Sequence, residues 1–280
     1  MYRARHGTFD AGDLKEELAR HLPTEMEIVM VHCSFNDLLP MYTGSVKELL
    51  DALIDLCLPE RTLVMPAFFS GGAEGDPRKH YQNRPLFDVR RQPSEMGILS
   101  ELFRRRPDVR RSLHPTASVS ALGPLAEEVT ENHHLAATIF GEGTPFGRMA
   151  ARRTTIFGIG TEYFRSLSQV HAAEDLLGER YPLQLRPLKL RVHLRDFDGE
   201  LHDYELPVKS LELGRRMERL EQLLTPNELA QWRFHGVPLF ATTASRVTEV
   251  LVEAALREET IYDAMPIRDS RPMLRPNDSA

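Results

Sequence analysis

Cysteine is scarce: Cys33 and Cys57 are the only two in 280 residues. That count excludes a disulfide scaffold, and both sit in apolar stretches (VMVHCSF and LIDLCLP), where reduced core thiols are the default. No apolar run approaches the roughly 20 residues that span a bilayer. The start, MYRARHGTFDAGD, lacks the apolar segment of a signal peptide. The reading is a protein of bacterial-type cytoplasm that does not enter membranes. Positive charge is in deficit, with 35 Lys+Arg against 41 Asp+Glu for a net charge of −6. This argues against nucleic acid as a partner, which needs a basic surface, and weakly favours a cationic substrate. There is no G-x-S-x-G, no P-loop and no G-x-G-x-x-G, since Gly158-Ile159-Gly160 lacks the third glycine. H-E-x-x-H is absent too, and H-x-x-E alone offers too few ligands, so no metal is expected.

What is present is an ordinary soluble balance, 41% hydrophobic and 27% charged, in a chain that fits one large domain or two interlocked ones. The first half alternates strands and helices. FDAGDLKEELARHL reads as a helix starting near Asp10 or Asp13. EIVMVHCSF, TLVMPAF and TTIFGIG read as buried parallel strands. SVKELLDALIDLCL, SEMGILSELFRRR, PLAEEVTENHH and LSQVHAAEDLLG read as helices between them, and TASVSALG as a further strand. Residues 70–93 read as a Gly/Pro-rich loop. The alternation predicts an α/β fold with a mostly parallel central sheet flanked by helices. Near Leu185 the pattern changes. LKLRVHLRDFDGELHDYELPV alternates about Asp198-Gly199, a β-hairpin signal. LELGRRMERLEQLL and PNELAQW then read as helical, VPLFATT as a strand and SRVTEVLVEAAL as a helix.

Four segments carry candidate chemistry. Ser45 and Glu48 form a capping box before the helix from Val46. The loop Thr43-Gly44-Ser45 is either a well-capped helix start or an anion site, with Gly44 admitting a ligand to the backbone. Ser94 reads as an N-cap or first-turn residue of the helix through Arg104, or as a hydroxyl aimed at a cofactor tail. His114, in RRSLHP, is either a hydrogen-bonded structural histidine or a catalyst. Ser168, His171 and Glu174 recur every three residues, with Asp175 four beyond His171, so a carboxylate on the same helix face can hold the imidazole. The alternative is a solvated helix with one histidine and two acids. The pair His133-His134 reads as solvated.

Together these segments resemble the aminoglycoside 3-N-acetyltransferase family. The matching pieces are VHCSF with TGSVKELLDAL, TLVMPAF, FDVRRQPSEMGILSELFRRRP, RRSLHPTASVSALGP, FGEGTPFGRM, TTIFGIG and the S-x-x-H-x-x-E element, in family order over roughly residues 12 to 182. The resemblance implies a family-specific α/β/α fold; the hairpin and helical region after Leu185 look unlike the family's and are expected as an addition in the C-terminal third. With three prolines and many charges, 265–280 reads as a flexible tail. The resemblance implies residues 1–264 as one acetyltransferase domain, with 185–264 on the acceptor side. It implies acetyl-CoA as donor and direct transfer to an amine of an aminoglycoside or related amino sugar. It implies His171 as general base with Glu174 as partner. The donor would lie along Ser34, Thr43, Gly44, Ser45, Val46, Ser94, Met96, Ser112 and His114. A small-molecule amine is the expected partner, and a homodimer is the assembly to test. Against the family pattern, Cys33 stands where Ser is usual and Ser168 where Thr is usual. The segment between Phe69 and Phe87 is shorter than in drug-modifying members and lacks their Trp. A biosynthetic N-acyltransferase for another sugar-linked amine, and a silent CoA-binding homologue, are the alternatives.

Overall fold

The computed structural model describes residues 6–183, 188–208 and 214–263. The proposed tail at 265–280 and the start of LELGRRMERLEQLL lie outside the described residues. Seven strands form the main sheet in the order β4-β5-β2-β1-β6-β10-β9. They are β1 (Ile28–Cys33), β2 (Thr62–Pro66), β4 (Arg110–Arg111), β5 (Val119–Leu122), β6 (Thr154–Ile159), β9 (Leu229–Phe234) and β10 (Val237–Thr243). Parallel pairing joins β2, β1 and β6 at the centre, and the four outer pairings are antiparallel. Only β5 and β10 therefore run against the rest, so five of the seven strands share one direction.

Helices cover both faces. They are α1 (Ala11–Arg20), α2 (Val46–Cys57), α3 (Ile98–Arg104), α4 (Ala126–Thr130), α5 (Pro145–Ala151), α6 (Ala172–Leu177) and α7 (Ala244–Ala255). Successive side chains of a strand point to opposite faces, and the central strands are apolar on both. Ile28 and Met30 join Val64, Ile156, Phe146 and Val247 in one core cluster. Val29 and Val31 join Leu14, Leu49, Leu53, Met65 and Phe103 in the other. This is why β1 and β6 read as unbroken apolar runs rather than alternating ones. Gly158 is set by the same packing, because a Cβ there would sit 1.8 Å from the Phe240 ring.

A second sheet, β3-β7-β8, is built from β3 (Leu86–Asp88) and the hairpin of β7 (Leu188–Arg195) and β8 (Leu201–Val208). The hairpin follows the sequence reading. The strand β3 does not, because it falls in the stretch read as loop; it pairs in parallel with β7 from Leu86 to Asp88. Phe69, Tyr81, Phe87, Val192, Leu194 and Leu206 form the small core beneath it. A second departure is PNELAQW. Leu229–Phe234 is an edge strand paired with β10, and alternating burial along it sets Trp232 beside α1, where its Nε1 donates to Glu17, and Phe234 against the Phe9 ring. No helix among the described residues is long and apolar enough to cross a membrane.

Candidate active site

The carboxyl ends of β1 and β2, together with the segment after β6, open onto one cleft of about 330 Å³. In open α/β sheets, ligands bind outside the carboxyl ends of the strands. His32, Cys33 and Ser34 come from β1 and its exit, Pro66 from β2, and Thr161 from the turn beyond β6; Ser168, His171, Arg165 and Arg215 close it. The apolar wall is Phe68, Met96, Leu167 and Met217.

His171 does not share one uninterrupted helix with Ser168 and Glu174. Ser168–His171 is a 3₁₀ turn and α6 begins at Ala172. The tighter turn still sets His171 beside Glu174, with Nδ1 to Oε1 at 3.1 Å. The Glu174 side chain is only 4% exposed, against 17% for His171. A carboxylate can only accept, so Nδ1 carries the proton and Nε2 is left as the basic nitrogen. Glu174 is held in turn by the Tyr262 hydroxyl, which donates to Oε1. Burial, then the Glu174 charge, push the Tyr262 phenol upward, so it stays protonated and donating. Asp175, the other acid near His171 in sequence, faces elsewhere. Its Oδ2 accepts from the backbone N–H groups of Ile139 and Phe140 at 3.1 and 2.7 Å. That anchors the loop whose Phe140 ring lies 4.9 Å from the His171 ring.

On β1, His32 adds a second imidazole to the cleft lining. It is 5% exposed, its Nε2 lies 3.4 Å from Ser168 Oγ, and burial lowers its pKa to about 4, so it is neutral. Burial, reinforced by Asp37, pushes the Cys33 thiol up to about 12. A thiol that stays protonated is a poor nucleophile.

The other expected site residues separate into two groups. Ser34 and Met96 line the cleft, with Ser34 Oγ donating to Asp37 at 2.6 Å. Thr43, Gly44, Ser45 and Val46 do not line it. Ser45 makes both halves of its capping box with Glu48, and Thr43 Oγ1 donates to the Phe9 carbonyl at 3.1 Å. Gly44 is required by a neighbour in the fold, since a Cβ there would lie 2.5 Å from the Tyr42 hydroxyl. Ser94 is not the cap of α3. Gly97 holds that position, and Ser94 Oγ accepts from the Met96 N–H at 3.2 Å.

Ser112 and His114 are fully buried and do not line the cleft. Ser112 Oγ accepts from the Val119 N–H at 2.9 Å and meets His133 Nδ1 at 3.0 Å. His133 Nε2 then donates to the Ile139 carbonyl at 3.0 Å. His114 Nδ1 accepts from the Ala117 N–H at 3.0 Å, which leaves Nε2 to donate to the Tyr204 hydroxyl at 3.1 Å. The His114 and His133 rings stack 4.5 Å apart. Every polar atom of this knot has a partner inside the fold, and it ties the main sheet to the hairpin. His133 is therefore a core residue, not a solvated one; burial lowers it to about 4 and holds His114 well below its usual range.

His32, Tyr262 and His133 escaped the sequence reading. For His32 a signal existed: a polar residue ending a buried parallel strand, where such folds place ligands. Tyr262 lies 88 residues from Glu174, and no local pattern links them.

A family model for aminoglycoside 3-N-acetyltransferase matches residues 30–254. The SPbeta prophage-derived aminoglycoside N(3')-acetyltransferase-like protein YokD of Bacillus subtilis (strain 168) is 31% identical over 234 residues, 72% of this chain and 84% of that protein. An aminoglycoside N(3)-acetyltransferase III of Salmonella sp is 28% identical over 174 residues, 58% of this chain and 60% of that protein. Among solved structures, aminoglycoside acetyltransferase AAC(3)-IIb matches with a TM-score of 0.73 at 20% identity, over 91% of this chain and 99% of that one. AAC-IIIb in binary complex with CoASH matches with a TM-score of 0.71 at 20% identity, over 91% and 98%.

Proposed function

Because this chain belongs to the aminoglycoside 3-N-acetyltransferase family, a family of acyltransferases, we propose that it moves the acetyl group of acetyl-CoA directly onto an amine of an amino sugar, with His171 as general base. The observation that carries this reading is the buried chain Tyr262–Glu174–His171 at the edge of the cleft. Relatives named for aminoglycoside N(3)-acetylation and a related fold binding CoASH support the donor and the reaction class.

The chemistry follows from the groups present. An ammonium has no lone pair and cannot attack a thioester. The neutral amine, its third proton lost to solvent, attacks the carbonyl carbon while Nε2 of His171 takes one of its two remaining protons. The C–S bond then breaks, and the imidazolium returns the proton to the departing sulfur. Such acid–base help contributes about 10²–10⁴-fold. Glu174 keeps the imidazole in the useful tautomer and stabilises its cation, the role an acid plays behind a catalytic histidine. The carbonyl oxygen gains negative charge during attack and needs donors. Ser168 Oγ is the hydroxyl in the cleft nearest the dyad in sequence, with His32 Nε2 3.4 Å from it. Phe68, Met96, Leu167 and Met217 offer an apolar bed for the pantetheine arm. The protonated Cys33 thiol favours direct transfer over an acetyl-cysteine intermediate.

The test is acetyl-CoA-dependent thiol release with a panel of amino sugars and aminoglycosides. Release that requires an amine acceptor supports the reading. CoA binding without release for any amine would support a silent CoA-binding homologue instead.

A further inference from the structure

The cleft carries positive charge where a site for a polycation needs acid. Arg165 and Arg215 both line it, and no Asp or Glu occurs among the described residues that do. Two carboxylates close to these arginines in sequence or pairing are engaged elsewhere. Glu162, three residues before Arg165, pairs with Arg233 at 3.8 Å. Asp263 pairs with Arg216 at 2.8 Å and with Arg219 at 3.6 Å, while Arg215 lines the cleft. The remaining titratable lining groups add no negative charge, since His32 is neutral and the Cys33 thiol protonated.

Both arginines belong to the elements that hold the acid–base pair. Arg165 lies in the helical turn Tyr163–Ser166, just before Ser168–His171. Arg215 makes a β-bridge with Tyr262, whose hydroxyl holds Glu174. In acetyl-CoA the phosphates are separated from the thioester by the whole pantetheine arm. Cations that share the cleft with His171 are therefore placed to meet the acceptor. A cleft of about 330 Å³ lies at the small end of the roughly 300–1,000 Å³ typical of ligand pockets.

We propose that the acceptor is an amino sugar bearing an oxyanion, a phosphate or carboxylate, which Arg165 and Arg215 bind while its amine meets His171. Arginine's planar fork suits such groups, and a polycationic aminoglycoside would set ammonium groups against two guanidiniums, a repulsion that selects against it. The inference rests on the acetyl-transfer reading and narrows its substrate. It also reverses the weak expectation of a cationic substrate drawn from net charge, because local charge, not the total, decides binding.

The test titrates the CoA-loaded protein calorimetrically with glucosamine 6-phosphate, glucosamine and gentamicin, and measures thiol release with each. The wild type should bind the phosphorylated sugar at least about 10-fold more tightly than the other two, the size of one charge-assisted hydrogen bond. Arg165→Gln/Arg215→Gln should lose that margin and raise the KM for the phosphorylated acceptor, not that for acetyl-CoA. Tighter binding of gentamicin, equal binding of all three, or variants that weaken CoA instead would overturn the proposal. Arginine-dependent binding of the phosphorylated sugar without thiol release would sink acetyl transfer and leave the charge assignment standing. Arginine-independent turnover of gentamicin would do the reverse.

Discussion

Tyr262→Phe removes one hydroxyl from behind the His171–Glu174 pair and leaves the ring, which is 7% exposed. That hydroxyl donates to a carboxylate whose side chain is 4% exposed. A hydrogen bond to a charged group contributes about 1.5–3 kcal/mol, and one pK unit corresponds to about 1.4 kcal/mol. With the donor gone, the His171 imidazolium becomes the main partner of Glu174 and is held more strongly. If half of the lost interaction passes to the ring, the pH below which kcat/KM falls should rise by about one unit. The assay is thiol release from pH 5.5 to 9.5. At pH 7 the variant should be slower by up to about 10-fold, and it should recover most of that loss near pH 9. A variant with lowered Tm and an unmoved acidic limb would reduce Tyr262 to a packing residue. A limb displaced to lower pH would refute the argument outright.

Three further outcomes are expected. Cys33→Ser should keep turnover, and acid-quenched wild type should show no acetyl-cysteine by mass spectrometry; an adduct at Cys33 would contradict direct transfer. Ser45→Ala should cost about 1 kcal/mol of stability in chemical denaturation, as a lost N-cap does, with the KM for acetyl-CoA unchanged; a raised KM would restore the anion-site reading of that loop. His32 and His133, both lowered to about 4, and His114, held well below its usual range by burial, are neutral in the fold. Below their ordinary value near 6.5 the unfolded chain takes up protons that the folded chain refuses. Stability should therefore be full above pH 6.5 and fall toward pH 4, with a slope approaching about 4 kcal/mol per pH unit if all three contribute; denaturation midpoints that hold steady from pH 7 to 5 would contradict this.

The central strands, the two capped helices α1 and α2, and the β7–β8 hairpin were legible because each rests on local rules of period, capping or turn chemistry. Asp10 and Ser45 both make the capping boxes their spacing requires. The dyad was legible for the same reason, since three residues along a helical turn bring His171 to Glu174. What the sequence alone did not show depends on distant partners. PNELAQW forms a strand because β10 offers it an edge. Ser112 and His114 are core residues because His133 and Tyr204 arrive from 21 and 90 residues away. Gly44 serves Tyr42, which no motif announces. In the fold RRSLHP contributes to a buried polar knot, and neither Ser112 nor His114 is among the residues that line the cleft.

The central claim is that one imidazole, backed by a buried carboxylate, removes the proton from the attacking amine. The direct measurement is single-turnover thiol release by His171→Ala, paired with calorimetric CoA binding by the same variant. The account predicts a loss of about 10²–10⁴-fold in rate with CoA affinity essentially unchanged. Release at the wild-type rate in that variant would contradict it.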